Sequence, residues 1–196
     1  MSFTHMGTSL RAFLAIELDQ QLRERINSIQ SQMKESGADV KWVAVSNMHL
    51  TLKFLGDTQQ NLINLIKKNL KAVCFSHRVF EIEIAEIGGF PSLSKPRIVW
   101  VGLKDNPPLN RLAEAIEQKL NLLGISPSDK PFHAHITLGR VHSTLNQWAL
   151  IKTLKQFQMP PALIQSVKAV TLFKSTLSCA GPVYEIIEKF ELREKD

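Results

Sequence analysis

His49-Leu50-Thr51-Leu52 and His135-Ile136-Thr137-Leu138 spell one pattern twice. In a β-strand successive side chains point to opposite faces. His49 and Thr51 therefore share one face, and Leu50 and Leu52 share the other. His135 and Thr137 are set against Ile136 and Leu138 in the same way. The apolar pair anchors each strand in a core. The polar pair, about 6–7 Å apart along the strand, is left to face a cleft.

Working outward, each copy sits in a similar half-chain. Before the first copy, Arg11 to Leu18 reads as a strand buried on both faces. Asp19 stands at a helix N-cap, and Leu22, Ile26, Ile29 and Met33 follow at helical spacing until Gly37. Val40 to Val43 reads as a short strand. After the copy, Leu62 to Val73 marks an amphipathic helix, Val79 to Ile87 a half-exposed strand, and Gly88 to Pro96 a loop. The pattern then restarts. Arg97 to Leu103 is a strand, Pro107 to Leu120 a helix closed by Gly124, and Ala134 to Arg140 the second motif strand. Gln147 to Phe157 is a helix, Val167 to Lys174 a strand, and Pro182 to Leu192 a last strand hairpinned through Gly181. The offset from the opening arginine to the motif histidine is 49 − 11 = 38 in one half and 135 − 97 = 38 in the other. A duplicated unit packs naturally about a pseudo-twofold axis, which brings the two motifs face to face.

Paired histidine and threonine suit phosphoryl chemistry without metal or cofactor. Opening a cyclic phosphate needs a base for water and an acid for the leaving ribose oxygen. Histidine, with an ordinary pKa of about 6.5, serves either role near neutral pH. The threonine hydroxyls are suited to donate to the non-bridging oxygens.

The bulk numbers agree with such a partner. The 196 residues are 44% apolar, with 24 basic and 18 acidic side chains and a net charge of +6; the isoelectric point is near 9.4. That surplus fits a polyanion. The length suits one domain of two small lobes over residues 10–196, with 1–9 as a flexible lead. Cys74 and Cys179 lie far apart, read as packing residues, and fit a reducing compartment. No apolar run reaches the roughly 18–20 residues that span a bilayer, and Met1 to Arg11 lacks a secretory pattern. The chain reads as cytoplasmic and monomeric.

The sequence resembles the 2H phosphoesterase superfamily, and within it the LigT-like RNA 2′,3′-cyclic phosphodiesterases, also called 2′-5′ RNA ligases. The segments that carry the resemblance are Arg11 to Ile16, Lys41-Trp42-Val43, His49 to Gly56, Gly88 to Pro91, Arg97 to Leu103, Pro131-Phe132, His135 to Arg140, Leu172 to Ser175 and Gly181 to Tyr184. The resemblance implies a bilobal α+β fold with an antiparallel sheet and flanking helices in each lobe and the histidines in the cleft between. It implies hydrolysis of RNA or nucleotide 2′,3′-cyclic phosphates to 2′-phosphates, with weak 2′-5′ ligation. It implies His49 as proton donor and His135 as base, a phosphate contact for Arg140, and a groove position for Phe13, which suits base stacking. Strand parity places Arg140 opposite His135, unless Gly139 permits a bulge. Ala134 departs from the family's usual proline without removing a chemical group.

Other readings compete. His133, two residues before His135, makes a His-x-His pair able to chelate metal, though no Cys or carboxylate cluster accompanies it. Lys53 shares the parity of His49 and suits contact with RNA backbone. His5, His77 and His142 read as surface residues. A non-catalytic RNA-binding module fits the charge, but there is no Gly-Phe-Gly-Phe run and only 7% of residues are aromatic. Another 2H branch, acting on 2′-5′ oligonucleotides or ADP-ribose cyclic phosphate, shares the same motifs.

Overall fold

The computed structural model describes residues 9–161, 163–179 and 181–194. The expected flexible lead lies outside these residues, apart from Ser9, which opens the first strand. The elements run β1 (Ser9–Glu17), α1 (Gln20–Lys34), β2 (Val40–Trp42), β3 (His49–Gln59), α2 (Gln60–Phe75), β4 (Phe80–Phe90), β5 (Ile98–Leu103), α3 (Pro107–Leu122), β6 (His135–Val141), α4 (Gln147–Gln156), β7 (Ile164–Val167), β8 (Ala169–Ser178) and β9 (Gly181–Glu191). The Asp19 side chain accepts from Leu22 N–H at 2.7 Å and starts α1 as the sequence foretells. β4 runs on through Gly88-Gly89-Phe90, where a loop was expected, because these residues pair with Ile98 to Trp100 of β5. At Gly88 a Cβ would lie 2.2 Å from the Trp100 ring, so only glycine fits there.

The strands form one path, β7-β4-β5-β6-β3-β1-β8-β9, with β2 beside β6. A five-stranded antiparallel sheet (β7, β4, β5, β6 and β2) and a four-stranded one (β3, β1, β8 and β9) meet at β6 and β3. Among the described residues these two strands pair at one position, Leu50 opposite Ile136. The lobes are related as the duplication implies, β1 and β3 standing to one as β5 and β6 stand to the other. The half-chains nevertheless exchange strands. β4, from the first half, completes the sheet of β5 and β6, and β8, from the second, completes that of β1 and β3.

A large core joins both sheets and all four helices. Leu22, Ile26, Ile29 and Met33 of α1 and Leu109, Leu112, Ile116 and Leu120 of α3 are buried in it. Cys74 belongs to this core, and burial pushes its thiol pKa up to about 12. Cys179 is exposed beside the β8–β9 turn, contrary to its reading as a packing residue.

Candidate active site

Leu50 and Ile136 are fully buried at the seam between the sheets. Antiparallel register about that pair sets His49 across from Thr137 and Thr51 across from His135, all four on the opposite face from the core. The two histidines are then diagonal neighbours across that junction.

The two imidazoles are held alike. His49 Nδ1 lies 2.7 Å from the carbonyl of Asn47, and His135 Nδ1 lies 2.7 Å from the carbonyl of His133. A carbonyl only accepts, so each Nδ1 carries the proton and Nε2 is the ring nitrogen left for proton exchange. Asn47 is itself anchored, its Nδ2 donating to Pro182 O at 2.8 Å. Burial pushes the His49 pKa below its ordinary 6.5, against a raising effect of the Asn47 carbonyl. Burial also lowers that of His135; the His133 carbonyl raises it, and the neighbouring His133 charge lowers it further.

Aromatic rings close around both. Phe13 is 3% exposed, 4.8 Å from His49 and stacked at 5.1 Å on Phe173. Tyr184 meets His49 edge-on at 5.3 Å. Phe90 meets His135 edge-on at 5.1 Å. Phe13 therefore braces an imidazole and is itself buried, whereas Phe54, 67% exposed, is the ring open to a base.

A cleft of about 410 Å³ is lined by His49, Thr51, Thr137, Arg140 and Phe13. That is room for a nucleotide. His135 does not line this cavity itself and stands at its margin, across from Thr51. A larger hollow of about 610 Å³ lies behind Phe54 and contains no histidine.

Arg140 reaches the cleft because of a β-bulge. β5 pairs Val99 with Gly139 and Trp100 with Thr137, so Leu138 is the extra residue. The side-chain alternation inverts beyond it. The freed Leu138 carbonyl accepts from Val43 N–H at 2.8 Å and from Gln30 Nε2 at 2.9 Å. The first motif strand has the matching bulge, Leu14 opposite Lys53 and Ala15 opposite Thr51, with Leu52 extra. Lys53 is thereby turned inward, 5% exposed, against Glu117 at 2.7 Å and Ser128 Oγ at 2.9 Å. It does not face RNA, contrary to the parity reading. Phe54 is its outward neighbour and the counterpart of Arg140.

Sequence reasoning left Arg11, Lys41, Trp42, Asn47, Phe54 and Tyr184 unassigned, and all line the cleft. The rings of His133 and His135 are 5.8 Å apart. Among the described residues no three His, Cys, Asp or Glu side chains gather to hold a metal ion. His77 Nδ1 is 2.9 Å from Val73 O at the end of α2, and the exposed His142 meets Asp39 at 3.3 Å. His5 lies outside the described residues.

Residues 16–100 and 101–184 each match the LigT like Phosphoesterase family. The chain is 32% identical over 183 residues to the RNA 2′,3′-cyclic phosphodiesterase of Methanothermobacter thermautotrophicus, covering 93% of this chain and 99% of that one. It is 34% identical to the RNA 2′,3′-cyclic phosphodiesterase of Archaeoglobus fulgidus, covering 93% and 100%. The crystal structure of E. coli LigT complexed with 3′-AMP is similar at a TM-score of 0.75 and 25% identity, over 94% of this chain and 98% of that one.

Proposed function

Since the chain belongs to the LigT like phosphoesterases, a 2H phosphoesterase family with this bilobal α+β fold, we propose that His49 and His135 are the proton-transfer pair with which it opens RNA 2′,3′-cyclic phosphates. The activity is hydrolysis of RNA 2′,3′-cyclic phosphate ends, the one its relatives are named for. The observation that carries the residue assignment is the matched pair of imidazoles, each fixed by a backbone carbonyl at Nδ1, His49 lining the cleft and His135 on the motif strand whose Thr137 lines it too.

In the proposed step His135 Nε2 takes a proton from water. The water oxygen bonds to phosphorus as the P–O3′ bond breaks, and His49 Nε2–H protonates O3′. The product is a 2′-phosphomonoester. Thr51, Thr137 and Arg140 hold the non-bridging oxygens. An RNA 5′-hydroxyl in place of water gives a 2′-5′ linkage by the same bond changes. No step requires a metal. Phe13 holds the His49 ring rather than the base. The enzyme works in the cytoplasm as a monomer and as one bilobal domain from residue 10 onward. Two unpaired cysteines support the reducing compartment, and no helix among the described residues is long and apolar enough to cross a membrane.

The test is incubation with nucleoside 2′,3′-cyclic monophosphates and identification of the product isomer by NMR. A 2′-monophosphate is expected, at an undiminished rate in chelator. His49→Ala and His135→Ala should each slow turnover about 10²–10⁴-fold with the circular dichroism spectrum unchanged. Full turnover by either variant refutes the assignment.

A further inference from the structure

β2 runs antiparallel to β6 with Lys41 directly opposite Arg140. Side chains so paired are about 4.5–5.5 Å apart at Cβ, and like charges there repel. Both line the cleft, and Arg11 lines it as well. Among the described residues no aspartate or glutamate lines that cleft. Among the described residues none of the three cations makes an ion pair. Asp57 stands across the β1–β3 ladder from Arg11 and does not pair with it. The cations also converge: Arg11 and Arg140 both draw down the Tyr184 phenol pKa, which burial raises. The neighbouring surface is aromatic, with Trp42, Phe54 and Tyr184 in the same wall.

A cyclic phosphate carries one negative charge, and it already meets two imidazoles and two hydroxyls. Three unpaired cations, two of them forced side by side, are more than that anion uses. The next anion along an RNA end is the phosphate on the 5′ oxygen of the same ribose. We infer that Arg11 and Lys41, with Arg140 shared between the two phosphates, form a subsite for that 5′-phosphate. The site then selects RNA ends over 2′,3′-cyclic nucleosides that lack it. This deepens the phosphodiesterase reading of the cleft and rests on it for the placement of the first phosphate.

Binding separates the two claims, because it needs no turnover. Titration calorimetry at low salt compares adenosine 2′-phosphate with adenosine 2′,5′-bisphosphate. The bisphosphate is expected to bind the wild type about 10-fold tighter or more, the scale of one charge-assisted contact. The gap should shrink in Lys41→Ala and Arg11→Ala, vanish in Lys41→Glu, and persist in Lys41→Arg. These residues are exposed, and circular dichroism checks that each variant is folded. A dinucleotide bearing a 2′-phosphate on its 3′ nucleoside tells an internal phosphodiester from a free 5′-phosphate: the first should match the bisphosphate. Equal affinities for the wild type, or a gap that survives all three charge-removing variants, overturn the subsite. If the gap behaves as stated while no cyclic phosphate is hydrolysed, the subsite stands and the hydrolase reading falls.

Discussion

The proton on each Nδ1 decides what the two histidines are able to do. With Nδ1–H given to Asn47 O or His133 O, Nε2 is the only nitrogen left to exchange a proton with substrate. Burial disfavours the imidazolium of both rings. The active form needs one ring charged and one neutral, so it is depleted as pH rises through values below 6.5. The optimum of kcat/KM, which reports the free enzyme, is therefore expected on the acid side of 6.5, and a pH–rate profile with a cyclic nucleotide checks it. An optimum above neutrality contradicts the desolvation argument. The same shifts weaken the fold in acid, because the unfolded chain takes up protons that the folded one refuses as pH falls through 6.5. Phe13 acts on this scale too. Phe13→Leu should lower kcat several-fold with KM little changed, since the ring touches His49 and not the base. A rise in KM alone would show that Phe13 contacts substrate.

At the scale of the element, the bulges at Leu52 and Leu138 make the site. Without them Lys53 faces the cleft and Arg140 is turned away. With them the lysine is buried on Glu117 and the arginine lines the cavity. Gln30 pins the second bulge from α1 through Leu138 O and Val43 O. Gln30→Leu is expected to cost about 1–3 kcal/mol in thermal or urea unfolding and to lower activity by letting Arg140 swing out. Loss of stability with full activity would mean the bulge holds without it. This explains where the sequence was and was not legible. The periodicity of α1 and the Asp19 cap are local and stand as read, and of the four polar motif positions His49, Thr51 and Thr137 line the cleft while His135 does not. A bulge is defined by the register of a partner strand nearly 40 residues away, so alternation alone misplaced Lys53; only Gly139 hinted at the second one. β7 has four residues and an exposed face, too little periodicity to mark a strand.

On the scale of the whole molecule, the repeat was legible from two matching offsets, and the exchange of strands was not. Neither half-chain owns a full sheet. Residues 1–96 lack β8 and β9, and residues 97–196 lack β2 and β4. Each fragment made alone is expected to be unfolded by circular dichroism and amide dispersion. The two mixed should recover structure and turnover together. A cooperatively folded single fragment would contradict the exchange. Leu50 and Ile136, both fully buried, form the seam on which the geometry of the two motifs depends.

The exchange also sets a clock on biosynthesis. Ala12 of β1 has Lys174 of β8 for its neighbour, a separation of 174 − 12 = 162 residues. At about 5–20 residues per second, the ribosome delivers that partner roughly 8–30 s after β1 emerges. Through that interval one side of β1 is an uncovered edge, the kind of surface that recruits stray strands. A nascent chain halted before β8 holds His49 without the wall that Phe173 and Tyr184 supply.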